Sequence, residues 1–456
     1  MKKLFGTDGI RGEAGRFPLD AATIEIVGAS LATRLKEKLG RAPLIVIGRD
    51  TRESGQWIQQ ALVTGGSRAG AELKTAGVIT TPGVAFLART LPADAGVVIS
   101  ASHNAYRDNG IKIFAPSGRK LDNATERLIE GDIFSPPEAP AARADYQPST
   151  PVPAGTIEGN DLRALYLEFL AGEIGCGMSL DGLRLVLDCA NGSTSDIAPE
   201  LFRRLGATVT TINNSPNGRN INLACGSLHT EALQAEVIKQ NAELGVAFDG
   251  DADRALFIDA KGTLVNGDAS LWVLAKSLKA QHRLNHDTVV ATVMSNIGLE
   301  LAFRSQGIRL IRTDVGDKYV LEELLRLGAN LGGEQSGHII FPSLSLAGDG
   351  LITTLCMLRT MTEAGEALHE LTGGFQTFPQ ILVNVEVKAK QPFSELPSVQ
   401  NTARKIEALL GSNGRLLLRY SGTESLARVM IEGESQDEIE KHANELASVI
   451  QKELGV

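Results

Sequence analysis

Short apolar runs recur along this chain, each closed by a polar, glycine-bearing loop and followed by an amphipathic segment. That rhythm restricts the chain to layered α/β architecture, because each apolar strand needs a helix to cover its face. Leu44–Gly48 reads as a strand, Arg49-Asp50-Thr51-Arg52 as its loop, and Glu53 to Gly70 as a helix. Gly96–Ser100 and Ile111–Ala115 read as two further strands. The pattern restarts at Leu183–Asp188, with loop Cys189–Ser193 and helix Ile197–Leu205. It restarts again at Thr288–Met294, followed by helix Ile297–Gln306, strand Ile308–Arg312 and helix Lys318–Leu327. Runs such as Val289-Val290-Ala291 predict strands buried on both faces.

The last part of the chain has a different period. Val383, Val385 and Val387 alternate with polar partners, which predicts a half-exposed strand over Ile381–Val387. A helix (Ser398–Leu410), two strands (Arg415–Tyr420 and Ala427–Glu432) and a final helix (Asp437–Leu454) complete a small α+β domain. The stretch from Phe134 to Pro153 carries six prolines and reads as a surface connector. Boundaries placed at its end, near Asp253 and near Gly373-Gly374 divide the chain into 1–153, 154–253, 254–373 and 374–456. The expected architecture is three similar α/β domains and a smaller C-terminal α+β domain.

Composition excludes several classes of function. Charge balances to −9, with no long basic run, which argues against extended binding of nucleic-acid backbone. No apolar stretch approaches the ~20 residues of a membrane span. Met1-Lys2-Lys3-Leu4 is not followed by the apolar core of a signal peptide. The four cysteines form no C-x-x-C pair, as expected of a reduced, cytoplasmic protein without a cysteine metal site. The chain lacks a P-loop, a G-x-G-x-x-G fingerprint and a G-x-S-x-G elbow.

Four loops at strand ends carry chemistry. Asp249, Asp251 and Asp253 lie at i, i+2 and i+4 in Asp249-Gly250-Asp251-Ala252-Asp253-Arg254. They can converge on a hard cation such as Mg²⁺ or form a solvated acidic turn; the cost of packing three like charges favours a cation. Positions six and twelve, Arg254 and Ala260, rule out an EF-hand. Ser102, in Ser100-Ala101-Ser102-His103-Asn104, stands where a loop serine either faces a cleft or bonds locally. Lys112, between Ile111 and Ile113, either snorkels to solvent or serves as a tuned acid/base group. Arg419-Tyr420-Ser421-Gly422-Thr423-Glu424, with Arg428 nearby, combines the groups of a phosphate cradle with those of a hairpin turn. In Gly333-Glu334-Gln335-Ser336-Gly337-His338, Glu334 and Ser336 share a face if the segment is extended, which suits sugar hydroxyls. Asp314–Lys318 is a similar polar strand end.

Taken in order, these stretches resemble the α-D-phosphohexomutases. Phe5–Gly12, Gly48–Arg52, Ser100–Asn104 with Asp108–Lys112, Asp249–Arg254, Gly316–Val320, Gly333–His338 and Arg419–Glu424 follow family order across nearly the whole chain. The resemblance implies four domains with mixed sheets around a central cleft. It implies that Ser102 is a phosphoserine and that Asp249, Asp251 and Asp253 hold Mg²⁺ together with a phosphoserine oxygen. Arg254 would neutralise that phosphate. Arg11, Lys112 and His338 would supply acid/base and charge-stabilising groups. Glu334 and Ser336 would bind sugar hydroxyls, and Asp317 and Lys318 belong to the same substrate-binding set. Arg419, Ser421, Gly422, Thr423 and Arg428 would hold the non-transferring phosphate.

The implied reaction interconverts glucosamine 6-phosphate and glucosamine 1-phosphate through glucosamine 1,6-bisphosphate. Glucose or mannose phosphates are the alternative substrates, and a homodimer is left open. Ala105 and Ser425 stand where the family usually has proline, which bears on loop rigidity rather than chemistry.

Overall fold

The computed structural model describes residues 3–6, 8–135, 159–421 and 424–456. They build four sheets. The first has the order β1 (Phe5–Gly6), β2 (Gly9–Glu13), β6 (Asp108–Phe114), β5 (Ala95–Ile99), β3 (Leu44–Arg49), β4 (Glu72–Val78). It is mixed: β3 runs parallel to β4 and β5, whereas β6 is antiparallel to β5 and β2. Ile45, Ile47, Ile111 and Ile113 meet Ile24, Val27 and Leu31 of helix Ala21–Leu39 in one apolar core. That helix starts where the Asp20 side chain accepts from the Thr23 backbone N–H, a standard cap.

The second sheet has the order β11 (Leu264–Val265), β10 (Ala255–Asp259), β9 (Leu244–Phe248), β7 (Arg184–Asp188), β8 (Thr208–Ile212). β9 and β10 form an antiparallel hairpin pairing Phe248 with Ala255. The boundary expected near Asp253 therefore falls inside a hairpin turn, and the sheet continues to Val265. The third sheet has the order β13 (Arg309–Thr313), β12 (Thr288–Thr292), β14 (Gly332–Gly333), β15 (Ile339–Ile340). The fourth, β16 (Gln380–Glu386), β18 (Leu426–Glu432), β17 (Arg415–Tyr420), is fully antiparallel. Its side chains alternate as the sequence predicts, with Ile381, Val383 and Val385 turned to the core. Helix Asn123–Phe134 precedes the proline-rich connector, whose residues 136–153 lie outside the described residues.

Packing divides the chain into two compact units, Met1–Val293 with Ile311–Gly373, and Met294–Leu310 with Gly374–Val456. The second unit contains helix Ile297–Ser305 as well as the fourth sheet. Buried Glu432 on β18 ties them together: it accepts from the Ile297 backbone N–H at 3.1 Å and from Arg415 Nε at 2.9 Å. Arg415 also donates to the Ser295 carbonyl at 3.1 Å.

Candidate active site

Ser102 sits in the loop after β5 with φ of 52°, a left-handed conformation that a serine adopts only when its surroundings impose it. Those surroundings are specific. Ser100 Oγ accepts from the Ser102 N–H at 3.0 Å and donates to Asp50 at 2.6 Å. Buried Arg52, paired with Asp50, donates to the carbonyls of Ser102 (3.1 Å) and Asn104 (2.6 Å). Asn222 donates to the same two carbonyls at 2.9 and 3.0 Å. Two side chains distant in sequence thus clamp the residues on either side of His103, and they fix the loop that Ala105 leaves without its proline.

The clamp aims Ser102 Oγ at Asp249 Oδ2, 2.5 Å away. Gly250 permits the approach, since a Cβ there would stand 2.7 Å from the Ser102 carbonyl. Asp249, Asp251 and Asp253 are buried, and each offers a carboxylate oxygen within 4.8 Å of the others. Asp251 Oδ1 and Asp253 Oδ1 are buried without a hydrogen-bond partner. Three converging buried carboxylates, two of them with an oxygen that makes no hydrogen bond, fit a hard divalent cation better than a solvated turn. Burial, together with repulsion from Asp253 and Asp251, raises the Asp249 carboxyl well above its ordinary value.

Lys112, 1 % exposed on β6, does not snorkel. Its ammonium lies 2.9 Å from Asp251, 3.1 Å from Asp8 and 3.3 Å from Asp253. Burial alone would lower its pKa, but Asp251, Asp8 and Asp253 outweigh that and raise it well above the lysine norm. Lys112 is therefore a fixed positive charge. Arg11 on β2 pairs with Asp8. His103 Nδ1 is 3.3 Å from Ser102 Oγ; burial, then the Arg254 and Arg11 charges, lower its pKa to about 4.

His338 lies beyond the trio. Its Nδ1 is 3.7 Å from Asp253 Oδ1 and its Nε2 is 3.8 Å from Asp317 Oδ2. Burial opposes its charge, but the contact with Asp253 and the Asp317 charge raise its pKa to about 9. Gly348 makes room for the ring, since a Cβ there would fall 2.3 Å from Nε2. Arg254 donates its backbone N–H to Asp249 at 3.2 Å, and its Nε lies 3.8 Å from Asp253.

The extended reading of Glu334 and Ser336 does not hold. The Gly337 N–H bonds back to the Glu334 carbonyl at 3.0 Å, and Gly337 has φ of 91°, so the segment between β14 and β15 is a turn. Glu334 accepts from the Gly316 N–H at 3.2 Å, and Ser336 Oγ is a buried hydroxyl without a hydrogen-bond partner. Asp317 is engaged by Lys120 at 2.6 Å, and Lys318 reaches Asn123 at 2.7 Å.

The second unit carries the remaining residues. Arg419 and Arg428 are directly opposed across β17 and β18. Burial and then Arg428 lower the Arg419 pKa, the mark of two cations facing each other. Glu424 balances one of them, accepting from Arg428 at 2.8 Å and from Ser421 Oγ at 3.2 Å. Lys390, not singled out from the sequence, donates to the Ser421 carbonyl at 2.6 Å. Gly422 and Thr423 lie outside the described residues. Lys120 and Asn222 carry no signal in the sequence, and Asp8 and Arg52 lie in family-like stretches without an assigned role, because each acts through partners about 50 to 200 positions away.

Comparison with known proteins converges on one family. Residues 2–139, 164–262 and 266–378 match phosphoglucomutase/phosphomannomutase alpha/beta/alpha domains I, II and III, and residues 382–449 match its C-terminal domain. The chain is 51 % identical to a phosphoglucosamine mutase of Solibacter usitatus over 100 % of its length and 99 % of that protein. Its fold is similar to that of a Burkholderia thailandensis protein of the phosphoglucomutase/phosphomannomutase family (TM-score 0.80, 22 % identity, covering 100 % and 99 % of the two chains). It is also similar to Aspergillus fumigatus N-acetylphosphoglucosamine mutase, solved with GlcNAc-6P and magnesium (TM-score 0.64, 18 % identity, covering 98 % and 95 %). Among the described residues no helix is long and apolar enough to cross a membrane.

Proposed function

The chain belongs to the phosphoglucomutase/phosphomannomutase family, and from that premise we propose that it interconverts glucosamine 6-phosphate and glucosamine 1-phosphate through a phosphorylated Ser102. One observation carries the mechanism: a strained, clamped serine whose Oγ rests on one of three buried, converging carboxylates. Whole-length identity to a phosphoglucosamine mutase supports the amino-sugar branch.

Asp249, Asp251 and Asp253 would hold Mg²⁺ together with a phosphate oxygen on Ser102. The bound ion would supply Lewis-acid relief of charge on the transferring group. In the first step the sugar O1 forms a bond to phosphorus while the P–Oγ bond to Ser102 breaks. The phosphoryl group goes to the sugar and, in net terms, the O1 proton goes to Ser102 Oγ. The product is glucosamine 1,6-bisphosphate, which turns over and returns its 6-phosphate to Ser102. Phosphoryl transfer asks mainly for alignment and fixed positive charge. Lys112, Arg11 and Arg254 supply that charge, and His338 stands as a further cation or proton donor. Glu334 and Ser336 orient sugar hydroxyls. Arg419, Ser421, Gly422, Thr423 and Arg428 hold the phosphate that is not moving. The enzyme works in the reducing cytoplasm, in keeping with four free cysteines.

The test compares kcat/KM for glucosamine, glucose and mannose 6-phosphates with Mg²⁺ and a trace of the matching 1,6-bisphosphate. A preference of at least about 100-fold for the amino sugar is expected; a contact made to one substituent is worth factors of that order. Preference for glucose or mannose phosphate would reject the glucosamine assignment while keeping the chemistry.

A further inference from the structure

Six side chains close into a ring in which carboxylates alternate with basic groups. Asp8 meets Lys112 at 3.1 Å and Lys120 at 2.7 Å. Lys112 reaches Asp253 at 3.3 Å, and Asp253 faces His338 at 3.7 Å. His338 faces Asp317 at 3.8 Å, and Asp317 returns to Lys120 through both carboxylate oxygens, at 2.6 and 2.8 Å. Asp8 comes from the β1–β2 turn, Lys112 from β6 and Lys120 from the loop after it. Asp253 comes from the β9–β10 turn, Asp317 from the start of helix Asp317–Leu327, and His338 from the β14–β15 turn. The ring joins elements of three sheets. Lys120, Asp8, Asp253, Asp317 and His338 all line one cavity of about 730 Å³, so the ring walls an open space rather than a packed core.

We infer that Lys120 is a positioning residue for phosphoryl transfer: it holds Asp8 against Lys112 and Asp317 against His338, and so fixes where those two basic groups stand. The inference rests on the reading of Ser102 and the carboxylate trio given above. Its ground is geometric. One ammonium lies within hydrogen-bond reach of two carboxylates from different elements, and each carboxylate is the partner of a basic side chain that faces the trio. Without Lys120, Asp8 and Asp317 would repel one another across the cavity wall and swing apart. Lys112 would then keep Asp251 and Asp253 but lose its third anchor, and His338 would keep Asp253 but lose its second. Charge placement matters steeply in phosphoryl transfer, because displacement by about 1 Å is enough to forfeit much of the rate. Asp317 is on this account a support for His338 rather than a ligand of the sugar.

The experiment uses the full-length protein with Mg²⁺ and glucosamine 6-phosphate. Lys120→Met is expected to lower kcat roughly 10- to 100-fold, the usual cost of removing a group that orients a catalytic residue. KM should stay within about threefold, because the Lys120 ammonium is already engaged by Asp8 and Asp317. Lys120→Arg keeps a cation between the two carboxylates and should recover most of kcat. An unchanged kcat in Lys120→Met overturns the inference. So does a loss carried by KM alone, which would make Lys120 a substrate ligand, and so does Lys120→Arg as slow as Lys120→Met. If Lys120→Met does not fold, Asp317→Asn gives the reading: kcat falls by a similar factor with KM held, and an unchanged kcat overturns the proposal. Wild-type protein silent toward every hexose phosphate would remove the underlying function. Active wild type with unaffected variants removes the positioning role alone.

Discussion

Ser102 shows how one residue can carry both the chemistry and a cost to stability. Its φ of 52° is a conformation that any residue with a Cβ adopts at a cost of about 1–2 kcal/mol, whereas glycine does not pay it. Ser102→Ala keeps the strain and loses the nucleophile; Ser102→Gly loses both. Both variants should lose mutase turnover by more than about 10³-fold, the scale of removing a covalent nucleophile. Ser102→Gly should nevertheless be more stable than Ser102→Ala by about 1 kcal/mol in chemical denaturation. Turnover retained in Ser102→Ala would remove the serine from the reaction. Ser102→Gly less stable than Ser102→Ala would show that the clamp from Arg52 and Asn222 does not impose strain. The carboxylate trio and Ser102 were legible in the sequence because each is a short motif at the end of an apolar run. Lys120 was not, because a lysine in a polar hairpin loop looks like any solvated lysine until Asp317, 197 positions later, is folded onto it.

At the scale of elements, strands announced themselves through unbroken apolar runs such as Val289–Ala291, and the C-terminal strand through its alternation. What failed was the inference of an extended segment at Glu334–Ser336, where Gly337 turns the chain, and of a boundary at Asp253, where a hairpin turn carries the carboxylates. In both places a local polar cluster was read without its partner strand, and strand pairing is a long-range property. Helix Gly350–Ala364 shows the same gap from the helix side. Asp349 caps it, accepting from the N–H groups of Leu351 and Ile352 at 2.9 and 3.1 Å, yet it is buried and also accepts from Tyr166 Oη at 2.6 Å. Burial raises its pKa from 3.8 to about 6 despite these bonds. A carboxyl whose folded pKa is raised gives stability that is whole below pH about 4 and is lost as pH rises through about 6. The shift corresponds to about 3 kcal/mol. Asp349→Asn keeps the cap but cannot ionise. The stability difference between wild type and Asp349→Asn should therefore be more favourable to wild type at pH 4.5 than at pH 8. A difference that does not change with pH would show that the carboxyl ionises as freely folded as unfolded.

For the whole molecule, the division into units does not follow the order of the chain. Residues 294–310 lie in the middle of a segment that matches domain III of the family, yet they pack as part of the C-terminal unit. Glu432 supplies the reason. It is fully buried on the central strand of the fourth sheet, holds the Arg415 guanidinium, and accepts from the first N–H of helix Ile297–Ser305. A helix N-terminus and a partly buried arginine both call for negative charge, and one carboxylate satisfies both. Glu432→Leu would leave the partly buried Arg415 without that carboxylate and the Ile297 N–H without its acceptor. Losing a hydrogen bond to a charged group costs about 1.5–3 kcal/mol. Hydrogen exchange reports where that cost is felt, because amides open with the cooperative unit to which they belong. In Glu432→Leu, amides of Ile297–Ser305 should exchange faster together with those of β16, β17 and β18. Amides of β3, β5 and β6, in the first unit, should keep their rates. If helix Ile297–Ser305 instead retained its protection while the fourth sheet lost it, the helix would belong energetically with its neighbours in sequence, and the unit defined by Glu432 would not exist.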